Sequence, residues 1–230
     1  TGEIVYTDGA AHVYLTGNVS ANLTVEAGQQ LSLCLNGYSF TCKDTAQPAI
    51  TLSGTKTTGF PTLNICDCTG GGTIGGRTGG DKGGSILAEA ADIHLYGGAL
   101  TGNSGLKRGG GVSLDRSILT IYGGEIRGNS AENGGGIAIV HDMDFNPDTR
   151  QSKITLYDGE IKNNTATGNG GGIDVPEDTF GTIQIHGGAI SGNKAGNGGG
   201  IAQGRYDALK MQGGAIRDNI ATGQGGGVYT

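Results

Sequence analysis

The chain has no tryptophan, and only four phenylalanines and eight tyrosines among 230 residues. So few large apolar side chains leave little surface for a large obligate interface. There is no lysine- or arginine-rich run and the net charge is −6, which argues against nucleic acid and anionic membranes as partners. No apolar stretch approaches the roughly 18 residues of a membrane span, so this segment is not expected to insert into a bilayer. A signal peptide and a starting methionine are also lacking. The chain opens at Thr1 and stops at Thr230, just after a glycine triplet, and reads as a piece of a longer parent with other domains.

What the chain has is glycine, 49 residues of it, about three times the ~7% of average usage. No Gly-x-y period is present, which excludes collagen. Ile, Leu, Val and Tyr recur between the glycines in fixed order, which excludes a disordered low-complexity tract. Five times, a Gly-Gly-x-Ile-like strand leads to an asparagine: Asn103, Asn129, Asn164, Asn193 and Asn219. Five or six residues later comes a triplet starting at Gly109, Gly134, Gly170, Gly198 or Gly225.

The asparagine spacings of 26, 35, 29 and 26 mark a repeat architecture. Leu119 and Ile121 alternate with Thr120 and Tyr122 at strand period, Gly123-Gly124 turns the chain, Ile126 points inward again, and Ile137 and Ile139 begin another strand after the triplet. Each unit therefore reads as three short strands and three bends. Such a unit cannot bury its own apolar side, so units must stack. The fold class expected is an all-β, single-stranded parallel β-helix, right-handed because parallel crossover connections nearly always are.

Three inward columns follow: Leu95, Ile121, Leu156, Ile185 and Met211; Leu100, Ile126, Ile161, Ile190 and Ile216; Val112, Ile137, Ile173, Ile201 and Val228. The asparagines are expected to form a structural ladder inside one bend. The triplets read as bends with no room for a Cβ, not as a phosphate loop, which would continue into Lys-Ser/Thr and a helix. Residues 1–90 read as irregular coils capping the stack, and residues 91–230 as regular coils of the same domain that continue in the parent. In the first part the expected strands are His12–Leu15, Leu23–Val25, Leu31–Leu35, Ile50–Leu52, Pro61–Ile65 and Ser85–Ala88.

The four cysteines, Cys34, Cys42, Cys66 and Cys68, all lie in the first third, and four cysteines allow three pairings. Neighbouring strands lie about 4.8 Å apart, within the reach of a disulfide. Cys34 and Cys66 are expected to face each other one coil apart, with Cys42 and Cys68 as a second candidate pair. Cys66-Asp67-Cys68 is tighter than a Cys-x2-Cys zinc hook and has no histidine beside it.

Two places are candidates for function. From triplet to next asparagine the length varies between 18 and 28 residues, so insertions gather at one bend, on the side that repeat folds often use for binding. His141, Asp142, Asp144, Asp174, Glu177, Asp178, Arg205 and Asp207 lie there. Acidic loops of this kind can chelate Ca²⁺, supply an acid and base for sugar chemistry, or simply be solvated. The second place is the outward column Tyr96, Tyr122, Tyr157 and His186. Its stacked rings would offer an amphipathic platform for sugar faces or a protein partner, or would merely pair with one another on a strand surface.

The series Gly97-Gly-Ala-Leu-Thr-Gly-Asn103, Gly123-Gly-Glu-Ile-Arg-Gly-Asn129, Asp158-Gly-Glu-Ile-Lys-Asn-Asn164, Gly187-Gly-Ala-Ile-Ser-Gly-Asn193 and Gly213-Gly-Ala-Ile-Arg-Asp-Asn219 resembles the repeats of polymorphic outer membrane protein passengers. Those are right-handed β-helices, and many act as adhesins; here Leu or Ile stands where their Phe is usual. The stretch Leu23-Thr-Val-Glu-Ala-Gly-Gln-Gln-Leu-Ser-Leu-Cys-Leu-Asn-Gly-Tyr38 looks like the N-terminal coils of wall-anchored surface proteins of Gram-positive gut bacteria. These resemblances imply an extracellular, cell-surface module that contacts a glycan or host surface protein, without a cofactor. The Asn-Thr-Asp, Asp-Asp and Gly-His-Gly elements of polygalacturonase-like β-helix enzymes are absent. A polysaccharide lyase or glycoside hydrolase working at the insertion face, and a plain stalk, remain the alternatives.

Overall fold

The alternation that marks a strand is obeyed residue by residue. In Thr62–Cys66, Leu63 and Ile65 are wholly buried, while Thr62, Asn64 and Cys66 are half-exposed. No such strand can hide its apolar side alone, and each is short enough to be useful only as part of a stack. The computed structural model describes residues 7–140, 150–177, 179–205 and 208–230. Among the described residues there is no helix, and the strands form four sheets whose pairings between named strands are all parallel. The protein is a parallel β-helix.

Each turn of the chain adds one strand to each of three sheets and, from the third turn on, one to the remaining sheet. The first sheet holds eight strands in sequence order: Ala10–Tyr14, Gln30–Cys34, Thr62–Cys66, Asp92–Leu95, Ile118–Ile121, Ser152–Leu156, Gly181–Ile185 and Ala208–Met211. The second sheet, from Val19–Ser20 to Ala215–Arg217, and the fourth, from Leu23–Glu26 to Val228–Tyr229, also hold eight. Eight coils at about 4.8 Å per step span about 34 Å from first to last strand.

The register is that of the expected columns. Leu95 pairs with Ile121, Ile121 with Leu156, Leu156 with Ile185 and Ile185 with Met211. Leu100, Ile126, Ile161, Ile190 and Ile216 are partners in the second sheet, and Val112, Ile137, Ile173, Ile201 and Val228 in the fourth. Leu100, Ile126, Ile161 and Ile190 are each 0% exposed. In the final coil no further strand lies over the column, so Met211 is 48% exposed.

A regular coil has four strands rather than the expected three. The extra sheet has six, Thr78–Lys82, Ser104–Arg108, Ser130–Asn133, Thr165–Ala166, Lys194–Ala195 and Ile220–Ala221, and occupies the interval between asparagine and triplet. These segments are polar and lack the β-branched alternation that signals a strand. From the second strand of this sheet on, what orders them is one inward apolar side chain per coil, first a leucine and then alanines. Leu106, Ala131, Ala166 and Ala195 are all buried, with Leu106 over Ala131 and Ala131 over Ala166. Ser39–Thr41 and Thr73–Gly75, in the second sheet, are likewise strands that propensity alone does not reveal.

The asparagines turn the bend between the second and third sheets into a continuous amide ladder. Asn103 Nδ2 donates to Asn129 Oδ1 (2.8 Å), Asn129 to Asn164 (3.1 Å), Asn164 to Asn193 (3.0 Å) and Asn193 to Asn219 (3.0 Å). Each of those acceptor oxygens also takes the backbone N–H of the asparagine one coil back. The same amide nitrogens reach a main-chain carbonyl of an earlier coil: Asn164 Nδ2 donates to Ile126 O at 2.8 Å and Asn193 Nδ2 to Ile161 O at 2.9 Å. Arg77 takes the asparagine position one coil earlier and donates its backbone N–H to Asn103 Oδ1. Its buried guanidinium bonds the carbonyls of Ala46, Lys82 and Gly83. A second ladder, absent from the sequence expectation, runs just before the triplets: Asn133 Oδ1 accepts from Asn169 N (2.9 Å), and Asn169 Oδ1 from Asn197 Nδ2 (3.2 Å).

The triplets need glycine for two reasons. Gly134 has φ +63°, in the left-handed region. At Gly135 a Cβ would lie 2.6 Å from the carbonyl oxygens of both Gly171 and Thr165 in the next coil. Asn164→Ala is expected to remove the side-chain acceptor of Asn129 N and to leave Asn129 Nδ2 and Ile126 O each one hydrogen bond short, lowering unfolding free energy by about 1–3 kcal/mol, the cost of an orphaned buried group. Gly135→Ala should cost about 1–3 kcal/mol through overpacking. Lys107→Ala, which removes only an exposed ion pair with Asp81, should leave the midpoint in place. Urea unfolding of the three variants checks the order.

Candidate functional site

The register that builds the core also lines up the outer surface. In the first sheet, Tyr14 pairs with Cys34 and Cys34 with Cys66. The next coils place Tyr96, Tyr122, Tyr157, His186 and Gln212 directly after the paired inward residues Leu95, Ile121, Leu156, Ile185 and Met211. One outward line thus reads Tyr, Cys, Cys, Tyr, Tyr, Tyr, His, Gln from the first coil to the last.

The aromatic part of that line is stacked. Ring centroids lie 4.9 Å apart for Tyr96 and Tyr122, 5.3 Å for Tyr122 and Tyr157, and 4.8 Å for Tyr157 and His186, with interplanar angles of 5°, 4° and 15°. These separations follow the strand spacing of about 4.8 Å, which is close enough for offset-stacked rings. Tyr96, Tyr122 and Tyr157 are 52%, 43% and 48% exposed. Tyr122 and Tyr157 each have a ring on both sides, so what they turn to solvent is chiefly ring edge rather than open face. The arrangement is a ribbed strip of stacked rings.

His94, on the same outer side as Tyr96, was not foreseen as part of this surface. Its ring lies 6.3 Å from that of Tyr96 and 6.2 Å from that of Tyr122. Its buried Nδ1 has no hydrogen-bond partner among the described residues. The only advance signal was its position two residues before Tyr96.

The insertion face is described in part. His141, Asp142, Asp144, Asp178 and Asp207 lie outside the described residues. Asp174 is buried on the outer side of Ile173–Val175, in register between Ala138 and Ala202. It lines a cleft of 150 Å³ with Asn169, Glu177, Asn197, Gln203 and Tyr229 among others, while Glu177 and Arg205 are exposed. At the far end of the insertion Arg150 is anchored by an ion pair with Asp92 and by the Phe60 ring, 4.3 Å from its guanidinium carbon. Among the described residues, no three Asp, Glu or His side chains converge as a calcium cage would require; the one such convergence is of cysteines.

That convergence comes from two neighbouring coils. Cys34 and Cys66 are strand partners. The chain then turns at Asp67, whose carboxylate accepts the backbone N–H groups of Gly37 and Gly72, both at 2.7 Å. The turn sends Cys68 back onto the preceding coil, with its Sγ 2.9 Å from Cys34 Sγ. Cys68 therefore neighbours Cys34, and the expected approach of Cys68 to Cys42 gives way to a three-sulfur group from which Cys42 is absent; Cys42 sits in the core. Burial opposes a thiolate at Cys34, yet hydrogen bonds from Cys68 and Cys66 hold its pKa below the ordinary value. Burial first, then the hydrogen bond and charge of Cys34, push the Cys66 thiol up to about 12. Cys68 is raised by its hydrogen bond to Cys34. Of the three, Cys34 is thus the thiol that gives up its proton most readily.

No protein-family model, curated protein or solved structure matches the chain. Tyr122→Ala breaks two ring pairs worth about 0.5–1.5 kcal/mol each, so a loss of about 1–3 kcal/mol is expected. Tyr14→Ala, at an exposed residue of the same line whose strand partner is Cys34, should cost distinctly less. Denaturant titration of the two variants separates a stacked strip from independent surface tyrosines.

Proposed function

We propose that the protein is a non-catalytic contact module of a bacterial cell-surface protein, an adhesin segment that binds a glycan or a host surface protein along the Tyr96–Tyr122–Tyr157–His186 strip. The observation that carries this reading is the exposure of three successive stacked tyrosines on a rigid sheet. An exposed apolar strip rimmed by polar groups is a common mark of an interaction surface. Ring edges and phenol oxygens supply polarised C–H and O–H groups at a fixed repeat, which suits a ligand that is itself a chain of hydroxyl-rich units. The strip is held by strand register, so little conformational entropy is lost when a ligand lies down on it.

The resemblance of the Gly-Gly-Ala-Ile-like repeats to those of polymorphic outer membrane protein passengers supports the same reading, as does the acidic surface, which suits neither nucleic acid nor bilayer. In this reading the module works outside the cell, on a parent chain with further domains.

A glycan array together with immobilised mucin and host matrix proteins tests the proposal. Binding is expected, and it should fall at least about tenfold, or about 1.4 kcal/mol, in Tyr122→Ala and Tyr157→Ala, but not in Glu177→Ala on the insertion face. Binding that survives both tyrosine changes would remove the strip as the contact surface. Binding to no ligand would leave the stalk reading. Release of reducing ends from a polysaccharide, lost on changing Asp174, would replace the proposal with an enzyme.

A further inference from the structure

The cysteine group deserves a function that a β-helix core does not require. Cys34 and Cys66 stand in the line that other coils fill with tyrosine and histidine, and Cys68 folds back onto them from the turn at Asp67. The three Sγ atoms lie within 4.8 Å of one another. Cys34 is buried, Cys66 half-buried and Cys68 exposed, so the group forms a small cup with one side open to solvent.

Sulfur ligands at about 2.3 Å from a metal centre sit roughly 4 Å from one another in a trigonal or tetrahedral arrangement. The three sulfurs lie within 4.8 Å of one another, with Cys68 and Cys34 closer than that ligand spacing, at 2.9 Å. Opening this pair by about an ångström moves only Cys68, an exposed residue followed by Thr69, Gly70 and Gly71, of which both glycines have positive φ and open space around them. Asp67 is not among the groups whose donor atoms converge there, and its carboxylate oxygens are turned to the main-chain N–H groups of Gly37 and Gly72. The donor set is then three sulfurs with an open position, soft and free of hard oxygen ligands, which selects thiophilic d¹⁰ ions over calcium or magnesium.

We propose that Cys34, Cys66 and Cys68 form a binding site for a thiophilic d¹⁰ cation, Zn²⁺ or Cu⁺, that bridges two adjacent coils at the start of the aromatic strip. The binding step is an exchange of thiol protons for the ion, with no electron transferred. A zinc ion would complete its tetrahedron with a solvent molecule at the open side, while a cuprous ion would be satisfied by the three sulfurs alone. Because Cys34 and Cys66 come from successive turns, the ion ties those turns together and stabilises the folded state by mass action.

The test uses the whole chain, reduced and handled without oxygen, loaded separately with Zn²⁺ and with Cu⁺ and then desalted. One ion per chain is expected in at least one arm, with a rise in melting temperature that a chelator reverses. Cys34→Ser and Cys66→Ser should abolish stoichiometric binding. Cys68→Ser, at an exposed turn, should do the same while leaving the metal-free melt unchanged, which keeps the result readable if the buried variants fold poorly. Cys42→Ser should bind as the parent does. Three results would overturn the site: no ion retained in either arm, retention by Cys68→Ser, or a Cys34–Cys68 disulfide that persists by mass when the protein is isolated with the metal present. The last would make the pair a covalent staple.

Discussion

The structure depends on the hydrogen bond that each buried asparagine amide makes to the next. A coil of this kind must turn sharply after its second strand, and the turn leaves main-chain groups facing inward where water cannot reach. An asparagine answers that need with one oxygen that takes two N–H groups and one nitrogen that serves two acceptors, as Asn164 does. The arrangement works only if the next coil brings its own asparagine to the same height. The amide ladder therefore imposes register on everything else, and the apolar columns, glycine bends and outer strip inherit it. The cost of an orphaned buried polar group, about 1–3 kcal/mol, is what keeps the asparagines stacked while the chain length between them varies from 26 to 35 residues.

Much of this was legible before any coordinates. The asparagines and triplets stand at fixed separations, and once they are laid over one another the partners of Ile126 or Ile137 can be named from the sequence. What stayed hidden has a physical reason in each case. Ser130–Asn133 and Thr165–Ala166 are strands because a neighbour offers a template and one alanine fits inside, and neither fact is a propensity. The second ladder, through Asn133, Asn169 and Asn197, adjoins glycine, where asparagine is commonplace in turns. The approach of Cys68 to Cys34 depends on a turn fixed by Asp67 from a distance in sequence. The stacking of tyrosines could be anticipated from parity, but the way they turn edge outward could not, since it follows from the side-chain torsions.

The same line on the first sheet carries two chemistries. At its start it offers sulfur, and further along it offers aromatic rings, with His94 beside the rings. Inward positions of a solenoid are constrained by close packing from both adjacent coils. The outward residue at the end of each first-sheet strand packs chiefly on its equivalents above and below, so its identity is free to change coil by coil. A surface of this type can be rewritten without touching the core, as the passage from Cys66 to Tyr96 in one step illustrates. The insertion after the fourth strand has a similar freedom in length, because the ladder sets its clock again at each asparagine.

The direction of the inter-strand hydrogen bonds has a mechanical consequence. In a parallel β-helix these bonds run along the long axis, from coil to coil, as where Gly111 N–H donates to Gly136 O and Gly136 N–H to Gly171 O. Tension applied between the two ends of the rod pulls along those bonds instead of shearing across them. Each coil touches only its neighbours, so such a load would be met by one turn giving way at a time, each releasing some two dozen residues of slack, as in the 26-residue step from Asn103 to Asn129. A body built like this behaves under traction as a shock absorber, lengthening by instalments while the remaining turns keep their shape.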